Sequence, residues 1–334
     1  MLKTIGSRAT VRLAFLVIAG TSGGWSALAQ SVPSFADHLL DRVAVPLPVA
    51  YHARTGRLFV GMQAGRTTVA LTDGTEGADV EIIGASAGNK ILRLRVDPRH
   101  ERLWVLEVGV VHVIDLPTGR RVATVELRNW FYTADATNCL PDLQLDATGT
   151  AFVSDSVQSK LWRIDANDFA LREHSLTPTT QQWVDAGFSA LVLQDDGSIV
   201  AAAGAPGTLW HIDRQLSNAE PIALDTPLHG ACAMERSDTS ENEIFVLAAG
   251  REVFTVYRFA LARVPYRAHA VIVERVSSSN LVGLTTIDRA PYLAIAGDAA
   301  AATRPRASGA GIRFVLSRPG NVSRAAPRPV EVLQ

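Results

Sequence analysis

The chain has 334 residues, 47% hydrophobic, 19% charged and 7% aromatic, with a mean hydropathy of +0.13 and 32 basic against 33 acidic side chains. So even a balance excludes the concentrated basic face that nucleic-acid binding needs, and the low charge excludes long disordered tails. Two cysteines and three methionines exclude a disulfide-dense scaffold, a four-thiolate zinc site and a Met-rich groove.

The N-terminus has the build of a cleaved export signal. Lys3, Arg8 and Arg12 form a cationic segment, Leu13 to Gly20 an apolar core, and Ala27-Leu28-Ala29 the small-x-small pattern that precedes cleavage at Gln30. Eight apolar residues rise about 12 Å, far short of a roughly 30 Å hydrocarbon core, so no membrane span is expected after cleavage. The expected compartment is the periplasm or the exterior. The mature chain, residues 30–334, then carries 29 basic against 33 acidic side chains.

Along the mature chain a short apolar strand recurs after a tight polar turn: TGRLFVGM at Leu58, ERLWVLEV at Leu103, GTAFVSDS at Ala151, GSIVAAAG at Ile199, NEIFVLAA at Ile244 and APYLAIAG at Tyr292. A further strand follows each, running to Asp73, Asp115, Asp165, Asp213, Phe259 and Ser317, and four of these six positions are aspartates suited to start a turn. Another apolar stretch precedes the turn in ILRLRVD (Ile91 to Asp97), LPDLQLD (Leu140 to Asp146), SALVLQD (Ser189 to Asp195) and NLVGLTTID (Asn280 to Asp288). Three clear strands and a weaker fourth, repeated six times at about 47 residues, predict an all-β fold: a six-bladed β-propeller of four-stranded antiparallel blades spanning residues 30–334. Ile312 to Ser317, Pro329 to Leu333 and Val43 to Leu47 are expected to share the blade that closes the ring. Ala299 to Gly311 is a low-complexity insertion in the last repeat.

RTGRLFVGM (Arg54 to Met62), CLPDLQLDATGTAFVSDSVQSKLWRID (Cys139 to Asp165) and SALVLQDDGSIV (Ser189 to Val200) resemble blades of the senescence-marker-protein/gluconolactonase group and its NHL-type and paraoxonase-like relatives. RLWVLEVGVVHVIDLPTGRRV (Arg102 to Val122) also resembles a blade of the yellow/major-royal-jelly proteins. The resemblance implies a six-bladed propeller and, in gluconolactonase-like members, one divalent cation, usually calcium, held by a Glu, two Asn and an Asp. Those four positions fall here at Leu47, Pro141, Ser189 and His229, so no metal is expected, with calcium as the alternative. Asp142, beside Pro141, with Asn138 and Asp135 upstream, is the fallback ligand set.

Trp130-Phe131-Tyr132 and Trp183 lie in connections before the third and fourth inner strands, where aromatics either wall an organic ligand or pack against the next blade. With Asp142, Ser189 and His229, Trp130, Tyr132 and Trp183 form the expected ligand-binding group at the channel mouth, and His229 is the candidate catalytic proton-transfer residue. Ser154-Asp155-Ser156 follows the repeat text and has no sequence-adjacent histidine partner. Asn89-Lys90 is expected in a solvated loop. Cys139 and Cys232 fall in the third and fifth repeats, so their separation across a ring disfavours a bond. The functional expectation is a monomeric exported propeller binding a small organic molecule or a periplasmic protein partner. The alternative is an enzyme, either a lactonase/hydrolase or a metal-free isomerase/lyase, using the same funnel.

Overall fold

The computed structural model describes residues 48–55, 57–61, 67–71, 80–81, 91–131, 139–178, 187–203, 207–226, 228, 230–250, 253–263, 266–277, 281–287, 290–297, 313–317 and 329–330. All lie in the unit running from Pro33 to Gln334, and among them there are strands and turns but no helix. The export signal, the apolar positions Val43 to Leu47, Asn89-Lys90 and the Ala299 to Gly311 insertion lie outside the described residues.

Sheet I comprises β1 (Val49–His52), β2 (Arg57–Gly61), β3 (Thr67–Leu71) and β4 (Val80–Glu81), and sheet II comprises β5 (Ile91–Asp97), β6 (Arg102–Glu107), β7 (Val110–Asp115) and β8 (Arg120–Glu126). Sheet III follows with β9 (Leu143–Leu145), β10 (Ala151–Ser154), β11 (Lys160–Ile164) and β12 (Leu171–Ser175). After the two-residue β13 (Thr177–Pro178), sheet IV holds β14 (Phe188–Leu193), β15 (Ile199–Ala203), β16 (Thr208–Ile212) and β17 (Asn218–Leu224). Sheet V has β18 (Ala231–Arg236), β19 (Glu243–Ala249), β20 (Val253–Arg263) and β21 (Tyr266–Ser277), and sheet VI has β22 (Leu281–Ile287), β23 (Ala290–Gly297), β24 (Arg313–Ser317) and β25 (Pro329–Val330). Each is an antiparallel run in chain order. Sheets IV and V differ from the expectation of separate blades, because β17 pairs in parallel with β21 at Ala223↔Arg267 and Leu224↔Ala268 and fuses them.

Leu58, Leu103, Ala151, Ile199, Ile244 and Tyr292 all fall on the second strand of their sheet. The turns before β6 and β10 are built from their own side chains. Asp97 Oδ1 accepts the amides of Arg99 (3.0 Å) and His100 (3.2 Å), and Asp146 Oδ1 accepts those of Thr148 (2.8 Å) and Thr150 (3.0 Å). Gly149 serves this turn in a second way. At φ 85° it occupies the left-handed region, and a Cβ there would collide with the Asp97 carboxylate and come to 2.8 Å from His100 Nδ1 of the adjoining sheet.

First strands are neighbours in sequence around a closed cycle: β1 with β5, β5 with β9, β9 with β14, β14 with β18, β18 with β22, and β22 with β1. The core lies as slabs between adjacent sheets rather than in one central mass. Leu92, Trp104, Val113, Leu143, Val153 and Trp162 pack sheet II on sheet III, and Ala190, Val200, Met234, Val246 and Phe259 pack sheet IV on sheet V. Trp104 and Trp162 are at 0% and 1% exposure. Burying a large apolar side chain contributes about 1.5–3 kcal/mol, and no single sheet can hide both of its faces alone.

Candidate functional site: the axis and the mouth

β5 alternates apolar residues with Arg93 and Arg95, and both arginines turn toward the place where the first strands converge. Three of those strands carry a bulge at the same level. The register slips past Leu92 on β5, past Ser189 on β14 and past Cys232 on β18. A bulge leaves its extra residue unpaired in the ladder, so these carbonyls need a donor from elsewhere.

Arg93 supplies it. Nη1 donates to the Leu92 carbonyl at 2.8 Å, and Nη2 lies 2.6 Å from the carbonyl of Cys232, 2.8 Å from that of Leu140 and 3.4 Å from that of Ser189. Nε donates to Asp142 Oδ1 at 3.2 Å. One guanidinium thereby gathers main-chain oxygens of sheets II, IV and V and of the segment leading into sheet III. Beside it, Arg95 Nη2 pairs with Glu235 Oε1 at 2.9 Å and lies 3.6 Å from Asp142 Oδ1, while its Nε donates to Gln144 Oε1 at 3.2 Å. The cluster holds two cations and two anions. Burial pushes the Arg93 guanidinium below its ordinary pKa, and the adjacent Asp142 opposes that shift.

Asp142 is fully buried. Its Oδ1 accepts from Arg93 and from the Leu143 amide at 2.8 Å, and its Oδ2 accepts from the Leu191 amide at 2.9 Å and Gln144 Nε2 at 3.3 Å. Ser189 is buried and its hydroxyl donates to the Ala231 carbonyl at 2.6 Å, tying sheet IV to sheet V. Pro141 is buried and offers no side-chain oxygen. These residues do not suit the calcium of the gluconolactonase-like group, since the one carboxylate is surrounded by N–H donors and sits against a guanidinium. Among the described residues no group of three His, Cys, Asp or Glu side chains could hold a metal ion.

Trp130 takes the packing option. It is 8% exposed in the slab between sheets II and III, and its indole N–H donates to the Ser154 carbonyl at 2.9 Å. Phe131 is the exposed member of that pair at 52%. Ser154-Asp155-Ser156 serves as a structural hub. Ser154 Oγ accepts the Asp142 amide at 2.8 Å, and buried Asp155 accepts the amides of Phe131 (2.9 Å), Val157 (2.6 Å) and Gln158 (2.8 Å). Burial raises the Asp155 pKa and those three amides counter the shift. Tyr132, Asp135, Asn138, Trp183, Leu47 and His229 lie outside the described residues.

The expected separation of the cysteines is corrected by the structure: Cys139 and Cys232 form a disulfide with Cα atoms 4.7 Å apart. The physical reason is Arg93, which holds the carbonyl of Leu140, next to Cys139, and the carbonyl of Cys232 on one nitrogen. Sheets III and V are thus drawn together across the axis, past sheet IV. Sequence reasoning passed over Arg93, Arg95, Gln144 and Glu235. Their signal was the placing of charged or amide groups at alternate positions of first strands, ILRLRVD, LQL and ACAMER.

No family model matches the sequence, and no curated protein matches it. Solved structures do match. The Cps50 (Swd1) β-propeller domain of Myceliophteria thermophila is 16% identical over 86% of each chain with a TM-score of 0.53, and Kuenenia stuttgartiensis hydrazine synthase is 13% identical over 90% of this chain and 82% of that one with a TM-score of 0.54. A virginiamycin B lyase from Staphylococcus aureus, solved with quinupristin, is 13% identical over 75% of this chain and 92% of its own, with a TM-score of 0.53. At these identities the likeness extends to the fold alone. The described strands and these neighbours together identify the chain as an all-β, β-propeller protein.

Proposed function

We propose that this chain is an exported, six-bladed propeller that binds a small organic ligand or a protein partner at its cystine-bearing end. The observation that carries the reading is the filled axis. On the axis the Cys139–Cys232 disulfide adjoins the cluster of Arg93, Asp142, Arg95 and Glu235, whose charges are paired with one another rather than offered to a ligand. Recognition then belongs to the surface outside this cluster, which includes exposed Phe131, next to Trp130 anchored on the Ser154 carbonyl. The closed cycle of first strands supports the six-blade count. The disulfide supports export, because such bonds persist in oxidising compartments, and the first 29 residues supply the signal.

The test has two arms. Intact mass of the exported protein is expected to place its N-terminus at Gln30. In a thermal-shift screen of uncharged metabolites, a ligand present at about 100 times its Kd stabilises by about 2.7 kcal/mol and raises the midpoint by several degrees. Turnover of a lactone or ester that stops on His229→Ala, or calcium binding abolished by Asp142→Ala, overturns the binding reading in favour of the enzyme.

A further inference from the structure

β20 and β21 are the longest strands described, at 11 and 12 residues, and β21 forms the outer edge of sheet V. Its edge is already used for strand addition. β17 pairs along it at Arg267 and Ala268, and Asp225 Oδ1 continues the contact by accepting the Ala270 amide at 3.0 Å. The same mode recurs where β13 adds in parallel to β17. Beyond Ala270 no described strand pairs with the edge, and Val271 and Ile272 stand 51% and 44% exposed. An uncovered apolar edge is a template for another strand.

Charge selects which strand. In a chain with 32 basic and 33 acidic side chains, the stretch from Val253 to Ser277 carries four arginines against one glutamate. Arg258, Arg267 and Arg275 are exposed, and Arg258 pairs directly across from Val271. We propose that the edge of β21 around Val271 and Ile272 docks an extended, acidic segment of a partner protein, added as a further strand whose carboxylates meet these arginines. A bulge at Val273 divides this free edge into Val271–Ile272 and the stretch from Glu274 to Ser277, which carries Arg275. The inference is independent of what the mouth binds.

The experiment uses the mature protein and a fluorescein-labelled peptide of about seven alternating glutamates and valines, with a lysine–valine peptide as control. Saturable binding of the acidic peptide alone is expected. It weakens about tenfold between roughly 50 mM and 500 mM salt and by a similar factor in Arg258→Glu/Arg275→Glu, while Val271→Asp abolishes it. Thermal midpoints of the variants verify folding, and Arg258→Gln/Arg275→Gln replaces any variant whose midpoint falls. Equal binding of the lysine peptide, indifference to the arginine changes, or no binding at about 1 mM overturns the proposal. So does co-sedimentation with anionic vesicles that Val271→Asp removes, or self-association that does so, since each names a different occupant.

Discussion

Replacing Arg93 by methionine keeps most of the side-chain volume and removes the charge on which the axis is organised. Asp142, at 0% exposure, would lose its closest cation, and Arg95 at 3.6 Å is too far away and too committed to Glu235 to replace it. Breaking a buried pair on one side costs about 3–5 kcal/mol. The carbonyls of Leu92, Leu140, Ser189 and Cys232 lose their donor as well, at about 1–3 kcal/mol for each that water does not reach. A net loss of at least about 4 kcal/mol is expected. With a urea m-value of about 3 kcal/mol/M, the denaturation midpoint of the oxidised protein falls by at least a little over 1 M. A double-mutant cycle with Asp142→Asn isolates the pair, because the double variant contains no uncompensated charge, and a coupling of at least about 2 kcal/mol is expected. A midpoint shift worth under about 1 kcal/mol for Arg93→Met, or additive single and double variants, would refute the axial role argued from the geometry.

Cys139→Ser/Cys232→Ser releases a loop with a sequence separation of 93 residues, for which chain entropy predicts up to about 4–5 kcal/mol. Because Arg93 holds the same two segments, a loss of about 2–4 kcal/mol in urea denaturation is expected, with the fold retained. Gly149→Ala is expected to cost at least about 2 kcal/mol, since backbone strain adds to the clash with Asp97 and His100, whereas Gly119→Ala, at φ 65° with open space around it, costs about 1 kcal/mol. Equal losses for the two would show that the close approach between sheets II and III is unimportant. Burial, then Arg54 and Arg57, lower the His52 pKa, so below pH 6.5 the unfolded chain takes up the proton first and stability falls with pH. His52→Gln is expected to flatten the stability profile from pH 6.5 downward, and an unchanged slope would remove His52 as a source.

The strand pattern was legible because it depends on local chemistry. Asp97 and Asp146 build their turns from their own neighbours, and second strands such as RLWVLE and AFVS are apolar enough to be buried in any stacked sheet. The axial cluster was hidden by the same rule. ILRLRVD alternates apolar and charged residues as a half-exposed strand does, and only ring closure turns its polar side inward, where Asp142 and Glu235 neutralise it. The cystine was obscured for a related reason: repeat number measures distance along the ring, not the chord that Arg93 draws across it. Trp130 and Phe131 are adjacent aromatics with opposite fates, decided by the Ser154 carbonyl and the Asp155 carboxylate two strands away. The parallel pairing of β17 with β21 leaves no mark in either strand's own pattern.

The three bulges and the guanidinium that answers them make one side chain the gauge of the molecule's girth. An arginine has a fixed reach, so the circle of inner strands can widen or narrow only by what its bonds to Leu140, Ser189 and Cys232 tolerate. In a repeat architecture each unit contacts only its neighbours, so a unit could be added or removed without touching the rest. The bonds of Arg93 across the axis oppose that freedom here. An added repeat would pull the carbonyls out of range, and a lost one would crowd two arginines and two carboxylates into a smaller bore, so variation is channelled into the rim, the outer strands and the turns.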